Sequence, residues 1–285
     1  MNLTRLPLDR MISLYAVRPF KRLLGEGESG TLSLLMYHSI SEDKEGFVHP
    51  YYRLCTPPGL FERHLGLLKK KGYALLDLET AVKQLTEGTL QGRNAVITFD
   101  DGFMDFYENA FPILMAHGAP ATVFLPVNFI ADRCVRLNGR EHMTWHEASE
   151  MAAAGIRFGS HTLSHRRLAL LSRQEIWNEV ARSKEIIENR LAVPARTFSF
   201  PYSFPETNGE LIAFVRQCLE ESRYLCGVTT MIGNASNAQD RFFLRRLPVN
   251  SADDEALFSA KLQGYYDWLH GVQYAYKKTT EAVFS

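Results

Sequence analysis

Short apolar runs alternate with longer amphipathic stretches along most of this chain. Thr31-Leu-Ser-Leu-Leu-Met-Tyr37 is a run of the buried-strand kind. From Leu60, Phe61, Leu65 and Leu68 fall on one face at helical spacing, and Gly72 ends the segment. Tyr73-Ala-Leu-Leu76 reads as a strand, Asp77-Leu-Glu-Thr80 opens a helix to about Glu87, and Ala95-Val-Ile-Thr-Phe99 is the next strand. The same alternation predicts strands at 121–125, 156–158, 197–200, 225–229 and 242–249. Helices are predicted around Phe111-Pro112, at 145–154, 173–191 and 208–221, with 255–277 as a closing helix. Phe111, Phe124, Phe158 and Phe198 fall to the core. Strands separated by helices imply parallel β-structure built from βα units. Seven or so units over about 250 residues fit a closed or nearly closed barrel better than an open sheet.

Two stretches break the pattern. Residues 41–58 are polar and proline-rich, a long loop whose Tyr51, Tyr52 and Arg53 could wall a groove, and Gly25-Glu-Gly-Glu-Ser-Gly30 is a loop by composition. With no repeat and no Gly/Ser linker, the chain divides into an N-terminal basic amphipathic segment, 1–30, and a single domain, 31–285. Residues 1–25 carry Arg5, Arg10, Arg18, Lys21 and Arg22 among Leu, Ile and Phe, without the compact apolar core of a signal peptide. Packing on its own domain is the first expectation for this segment. Peripheral contact with the inner face of a membrane is the second. No run reaches the ~20 apolar residues of a bilayer span, and the cytoplasm is the default location.

Composition narrows the function. At 46% hydrophobic and 22% charged residues the chain is ordinary for a globular protein. A formal net charge of zero gives no footing to nucleic-acid binding through a broad basic surface. Cys55, Cys134, Cys218 and Cys226 form no Cys-x-x-Cys pair and read as reduced thiols, with a Cys218–Cys226 disulfide left open.

The chemistry gathers at predicted strand ends, where β/α barrels keep their functional groups. Asp100-Asp101-Gly102 follows one strand, and His161-Thr-Leu-Ser-His165 follows another about sixty residues on. One Asp and two His make a three-ligand set for a catalytic metal with a position left for water. The spare carboxylate then suits a general base. Taken alone, Asp-Asp-Gly is as readily a turn or a helix start, and His-x-x-x-His two solvated helix histidines. If the two histidines lie on one helical turn, their imidazoles share a side. The two carboxylates can share a site only if the chain leaves regular β-structure, a freedom Gly102 supplies.

Thr98-Phe-Asp-Asp-Gly102, Ser160-His-Thr-Leu-Ser-His165 and Thr197-Phe-Ser-Phe-Pro-Tyr202 resemble, in order and spacing, the first three motifs of the polysaccharide deacetylase family, the NodB-homology group of carbohydrate esterases. Weaker marks are Met36-Tyr-His-Ser39, Phe61-Glu-Arg-His-Leu65, Met143-Thr-Trp145 and Leu244-Arg-Arg-Leu247. The resemblance implies a distorted (β/α)₇-type barrel that removes N-acetyl, or less often O-acetyl, groups from a polysaccharide, oligosaccharide or glycan precursor. It implies Asp100 as catalytic base and Asp101, His161 and His165 as ligands of a divalent metal, Zn²⁺ first, with Ni²⁺ or Co²⁺ as alternatives. It also implies the Tyr202 backbone N–H as an oxyanion donor.

Two positions depart from the family pattern. Ser199 stands where an arginine often orients the base, so Arg246, and after it Arg245, is expected to supply that charge from the last strand. The late Leu-x-His motif that supplies a general acid is absent, leaving His38 at a strand end as the better candidate and His270 as the weaker. Trp145, Tyr202 and Phe204 are candidate sugar-facing aromatics. Two other functions share these features: a non-catalytic carbohydrate-binding protein on the same fold, and an amidohydrolase of a small non-sugar amide.

Overall fold

Leu32, Leu34, Val96, Phe124, Val228 and Leu244 come from five separated strands and meet in one buried cluster. Only a sheet closed on itself brings them together. The computed structural model describes residues 8–24, 31–46, 48–49, 52–137 and 139–284. Its barrel strands are β1 (Thr31–Tyr37), β2 (Asn94–Phe99), β3 (Ala121–Leu125), β4 (Arg157–Ser160), β5 (Thr197–Ser199), β6 (Cys226–Ile232) and β7 (Leu244–Pro248). Each pairs in parallel with the next, and β7 returns to β1 through Leu35↔Leu247 and Met36↔Pro248. The ring is a (β/α)₇ barrel. It is distorted where pairing is thin: β4 and β5 meet only at Phe198↔Ser160, and β6 shifts register against β7.

The expected strand at 73–76 is real but lies outside the ring. Ala74 and Leu75 pair with Asn94 and Ala95, below the point where β3 joins β2 at Ile97. Ala235–Ser236 does the same antiparallel to the start of β1.

Strand alternation separates two cores. Leu34, Val96 and Leu244 point into the lumen, whose N-terminal end is closed by α1 (Leu78–Thr86) through Leu78, Ala81, Val82 and Leu85. Leu35, Ile97, Val123, Phe158 and Leu247 belong to the outer layer, in one buried cluster with Phe61, Leu65 and Leu68 of the helix Pro58–Lys70 and Ile187 and Leu191 near the end of the helix that begins at Arg173. Helix starts follow their caps: Asp77 accepts from the Thr80 N–H, and Ser172 and Glu175 form a capping box for α2 (Arg173–Leu191).

The closing stretch is two helices rather than one, α3 (Glu255–Leu262) and α4 (Leu269–Phe284). Gly264, at φ 73°, sits in the turn between them, a conformation a helix cannot continue through. Residues 8–24 form a helical segment with a π-helical turn at Ser13–Val17 that packs on α3. Leu14 is buried against Ala260 and Tyr265, and Arg10 makes a bidentate pair with Asp254 at 2.7–2.9 Å. Trp268 Nε1 donates to Ser13 Oγ at 3.0 Å, and Lys21 Nζ to the Gly264 carbonyl at 2.8 Å. Arg5, the Gly25–Gly30 loop and Tyr51 lie outside the described residues. All four cysteines are free, Cys218 and Cys226 included. Among the described residues no helix is long and apolar enough to cross a membrane.

Candidate active site

Above the apolar floor of the lumen the inward positions turn polar: Thr98 and Asp100 on the β2 side, Ser199 on β5, Arg246 on β7. Arg246 is wholly buried and grips both oxygens of Asp100, Nη1 to Oδ1 at 2.8 Å and Nη2 to Oδ2 at 2.6 Å. The rest of the guanidinium is also engaged. Nε donates to the Thr229 carbonyl at 3.0 Å, Nη1 to Thr98 Oγ1 at 3.2 Å and Nη2 to Ser199 Oγ at 3.0 Å. Ser199 passes the contact on, donating to Asp100 Oδ1 at 3.2 Å. The small side chain on β5 leaves space that the long one on β7 fills. Arg245, one residue earlier, belongs to the opposite face and approaches Asp267. Burial by itself would push the Asp100 carboxyl up, but the Arg246 charge, with His161, outweighs it and holds Asp100 below the usual carboxylate range.

Strand β2 ends at Phe99, and the backbone then turns sharply. Asp101 has φ 72° and Gly102 φ 62°. That left-handed step rotates Asp101 toward the side Asp100 already faces. Gly102 also has no room for a side chain, since a Cβ there would lie 2.7 Å from Leu125 Cδ2. Asp101 Oδ1 stands 3.2 Å from His165 Nε2 and 3.5 Å from His161 Nε2. One ligand atom from each of these three residues lies within 4.8 Å of the others. His161 Nε2 is also 4.0 Å from Asp100 Oδ2, so both carboxylates border one space.

The histidine tautomer follows from the structure. His161 Nδ1–H donates to the Ser199 carbonyl at 2.8 Å, which leaves the Nε2 lone pair aimed at Asp101. Burial lowers the His161 pKa to about 4, so the ring is neutral at pH 7. For Asp101, burial opposes ionisation, but the His165 hydrogen bond and the nearby His38 and His161 imidazoles, which are protonated in the acid range where a carboxylate titrates, hold it well below the usual carboxylate range. An anionic oxygen and a neutral imidazole lone pair, with a second imidazole beside them, are donors a divalent cation takes.

His161–His165 is not a helical turn. Thr162 and His165 have φ 69° and 53°, and the segment is a loop pinned from several sides. Glu179 of α2 accepts from the Leu163 and Ser164 N–H groups at 2.8 and 2.9 Å and from the Ser164 hydroxyl. The Thr162 and Leu163 carbonyls accept from Val127 and Asn128 on the β3 side. Glu179 was missed by sequence reasoning. Its signal is a carboxylate on the buried stripe of α2, between Ile176, Val180 and Ser183. His142 was missed too, and no pattern marks it. Its Nδ1–H donates to the Asp101 carbonyl at 3.0 Å, supporting the strained peptide.

Around this centre, His38 follows β1 and acts electrostatically on both carboxylates. Tyr202, at φ 59°, places its ring 4.7 Å from that of His165 and remains 46% exposed. Its carbonyl accepts from Thr230 Oγ1 at 2.8 Å, and Phe204 N–H donates to the same hydroxyl at 3.0 Å. Helix α4 braces this loop. Gln273 donates to the Thr230 carbonyl at 2.9 Å, and His270 and Lys277 both reach Glu206 at 2.7 Å. His270 is thus a brace for Glu206, not a member of the Asp–His cluster. Trp145 and Phe204 are core residues instead of sugar-facing ones. Trp145 is buried under the Arg190 guanidinium, and Phe204 packs on Phe200 and Phe243.

Comparison with known proteins agrees with this arrangement. The sequence profile of the family described as polysaccharide deacetylase matches residues 87–218. The polysaccharide-deacetylase relative YxkH of Bacillus subtilis (strain 168) is 32% identical over 233 residues, 81% of this chain and 76% of YxkH. The chain belongs to the polysaccharide deacetylase family. Poly-β-1,6-N-acetyl-D-glucosamine N-deacetylase of Staphylococcus epidermidis is 31% identical over 103 residues, covering 36% of this chain and 35% of that enzyme. Among solved structures, the Streptococcus pyogenes deacetylase PplD in complex with acetate superposes with a TM-score of 0.70 at 25% identity, covering 81% of this chain and 98% of PplD. IcaB from Ammonifex degensii shares the fold, with a TM-score of 0.68 at 22% identity over 82% of this chain and 97% of that one.

Proposed function

We propose that this deacetylase-family chain removes N-acetyl groups from an acetylated glycan with the help of a divalent cation. The observation that carries the reading is one space bordered by two different carboxylates: Asp100, locked by Arg246, and Asp101, set between two imidazoles. Asp101, His161 and His165 would hold the cation. When bound, it lowers the pKa of water toward ~7 and polarises the acetyl carbonyl. Asp100 is the base that accepts the proton of the attacking water, its orientation fixed by Arg246 and Ser199. The Tyr202 N–H, in none of the hydrogen bonds among the described residues, donates to the oxyanion that develops on the carbonyl oxygen. His38, close enough to act on both carboxylates, is the group assigned to protonate the departing nitrogen.

The mouth favours a glycan over a small amide. Tyr202 stands half-exposed beside His165, whereas a pocket for a small ligand encloses most of its surface. The staphylococcal relatives act on poly-N-acetylglucosamine, and PplD was solved with acetate bound, which points to an N-acetylhexosamine glycan as substrate.

The test is acetate release from N-acetylated oligosaccharides, with metal content measured on the same samples. Chelation abolishes release and readdition of Zn²⁺, Ni²⁺ or Co²⁺ restores it. Asp100→Asn loses at least ~10²-fold in rate while its metal content stays near wild type. Undiminished turnover in Asp100→Asn removes the base from the proposal, and turnover in the metal-free protein removes the cation.

A further inference from the structure

The N-terminal helical segment uses only one of its faces. Asp9, Arg10, Ser13, Leu14 and Val17 turn toward α3 and the turn after it, while Leu8, Met11, Ile12, Tyr15, Phe20 and Leu23 are exposed. These positions recur largely at three- and four-residue intervals, so they form one continuous stripe along the helix. Tyr15, Phe20 and Leu23 are 77, 62 and 86% accessible. Six of the fourteen exposed large apolar side chains among the described residues lie on this helix, so the stripe is a concentrated feature and not ordinary surface scatter.

The charge pattern says what covers it. The acid Asp9 is taken up by the Tyr266 hydroxyl and the cation Arg10 by Asp254. From Met11 to Leu24 the sequence has no carboxylate and three basic residues, Arg18, Lys21 and Arg22; of these, Lys21 turns its ammonium to the Gly264 carbonyl on the docked side. A helix with an exposed apolar stripe, two aromatic rings and an excess of basic over acidic residues beyond Met11 suits a flat, negatively charged, apolar-cored surface. The docked face holds the helix to the barrel, so no unfolding is needed to present the stripe.

We propose that residues 8–24 dock this protein on the surface of an anionic lipid membrane, with the helix lying in the interfacial plane and Met11, Tyr15, Phe20 and Leu23 inserted. This is independent of the chemistry at Asp100.

The test is sedimentation of the full chain with vesicles of pure phosphatidylcholine and of equimolar phosphatidylcholine and phosphatidylglycerol. The chain pellets with the anionic vesicles and largely stays in solution with the neutral ones, and added salt weakens binding through screening. The triple substitution Tyr15→Glu, Phe20→Glu, Leu23→Glu reduces binding at least tenfold while the melting temperature and acetate release hold at wild-type values, because these side chains contact solvent. Tyr15→Trp gives a second readout, a blue shift of the indole emission on adding anionic vesicles. Absence of pelleting with either vesicle, equal pelleting of the triple variant, or an unshifted emission spectrum for Tyr15→Trp overturns the proposal. So does a wild-type dimer in solution that the triple variant dissociates, which would assign the stripe to a second copy of the chain.

Discussion

Arg246 is the largest charge acting on Asp100, and its side chain is wholly buried. A buried guanidinium and a buried carboxylate stabilise each other only as a pair, and removing one member leaves the other unpaired at a cost of ~3–5 kcal/mol. The same pairing sets the proton affinity of Asp100. Arg246→Lys keeps a positive charge but loses the two-pronged grip and the bonds to Thr98, Ser199 and Thr229. Weakening the influence that depresses the Asp100 pKa raises it, so the base ionises only at higher pH. The acid limb of kcat/KM against pH therefore moves upward, and kcat falls about 10²-fold from misorientation. An unmoved limb in the folded variant would mean that Arg246 is only a packing residue. From sequence, Arg246 was reachable as a missing charge with a short set of suppliers. The two-pronged grip on Asp100 and the choice of Arg246 over Arg245 were not, because two strands distant in the chain meet only across a closed barrel.

At the level of elements, the site is a set of loops held from behind by helices. α2 fixes the 161–165 loop through Glu179, and α4 fixes the 201–206 loop through Glu206 and Gln273. Burial opposes ionisation of Glu206, but its bonds to His270 and Lys277 prevail and hold its carboxyl below the ordinary range. A carboxylate with a depressed folded-state pKa stabilises above its unfolded pKa of ~4.3 and loses that contribution as pH falls through the folded value. Glu206→Gln thus costs about 1.5–3 kcal/mol at neutral pH, and the gap to wild type narrows on acidification below about pH 4, as read by denaturant titration at each pH. A gap that does not change with pH would show that the charge on Glu206 plays no part. The amphipathic period located α2, and it joined α3 to α4 because the short turn at 263–268 barely disturbs the apolar spacing.

For the whole molecule, the three proposed ligands come from the ends of β2 and β4, so the metal binding proposed for them would be a property of the closed barrel. The unfolded chain separates Asp101 from His161 and His165 by about sixty residues, so a cation held by all three would bind the native state preferentially. At a free concentration of 100 times Kd, binding adds about 2.7 kcal/mol. In a chain of this size, that is a rise of several degrees in Tm. Asp101→Ala removes the metal-dependent rise and leaves the metal-free Tm close to that of the wild type. A rise that survives this substitution would place the cation elsewhere.

The amino-acid sequence by itself determined the alternation of strand and helix, the strand ends at which chemistry collects, and the Asp-Asp and His-x-x-x-His pair. Each of these is a local pattern of spacing and residue type. Tertiary structure decided which groups meet: Arg246 beneath Asp100, the left-handed Asp101 turned toward His161, Glu179 and His142 as supports, and His270 withdrawn to Glu206. It also decided that Trp145 and Phe204 are core while Tyr202 is at the mouth. The physical reason is the same throughout. Periodicity fixes the face of an element on which a side chain lies, and only closure of the sheet fixes what that face meets.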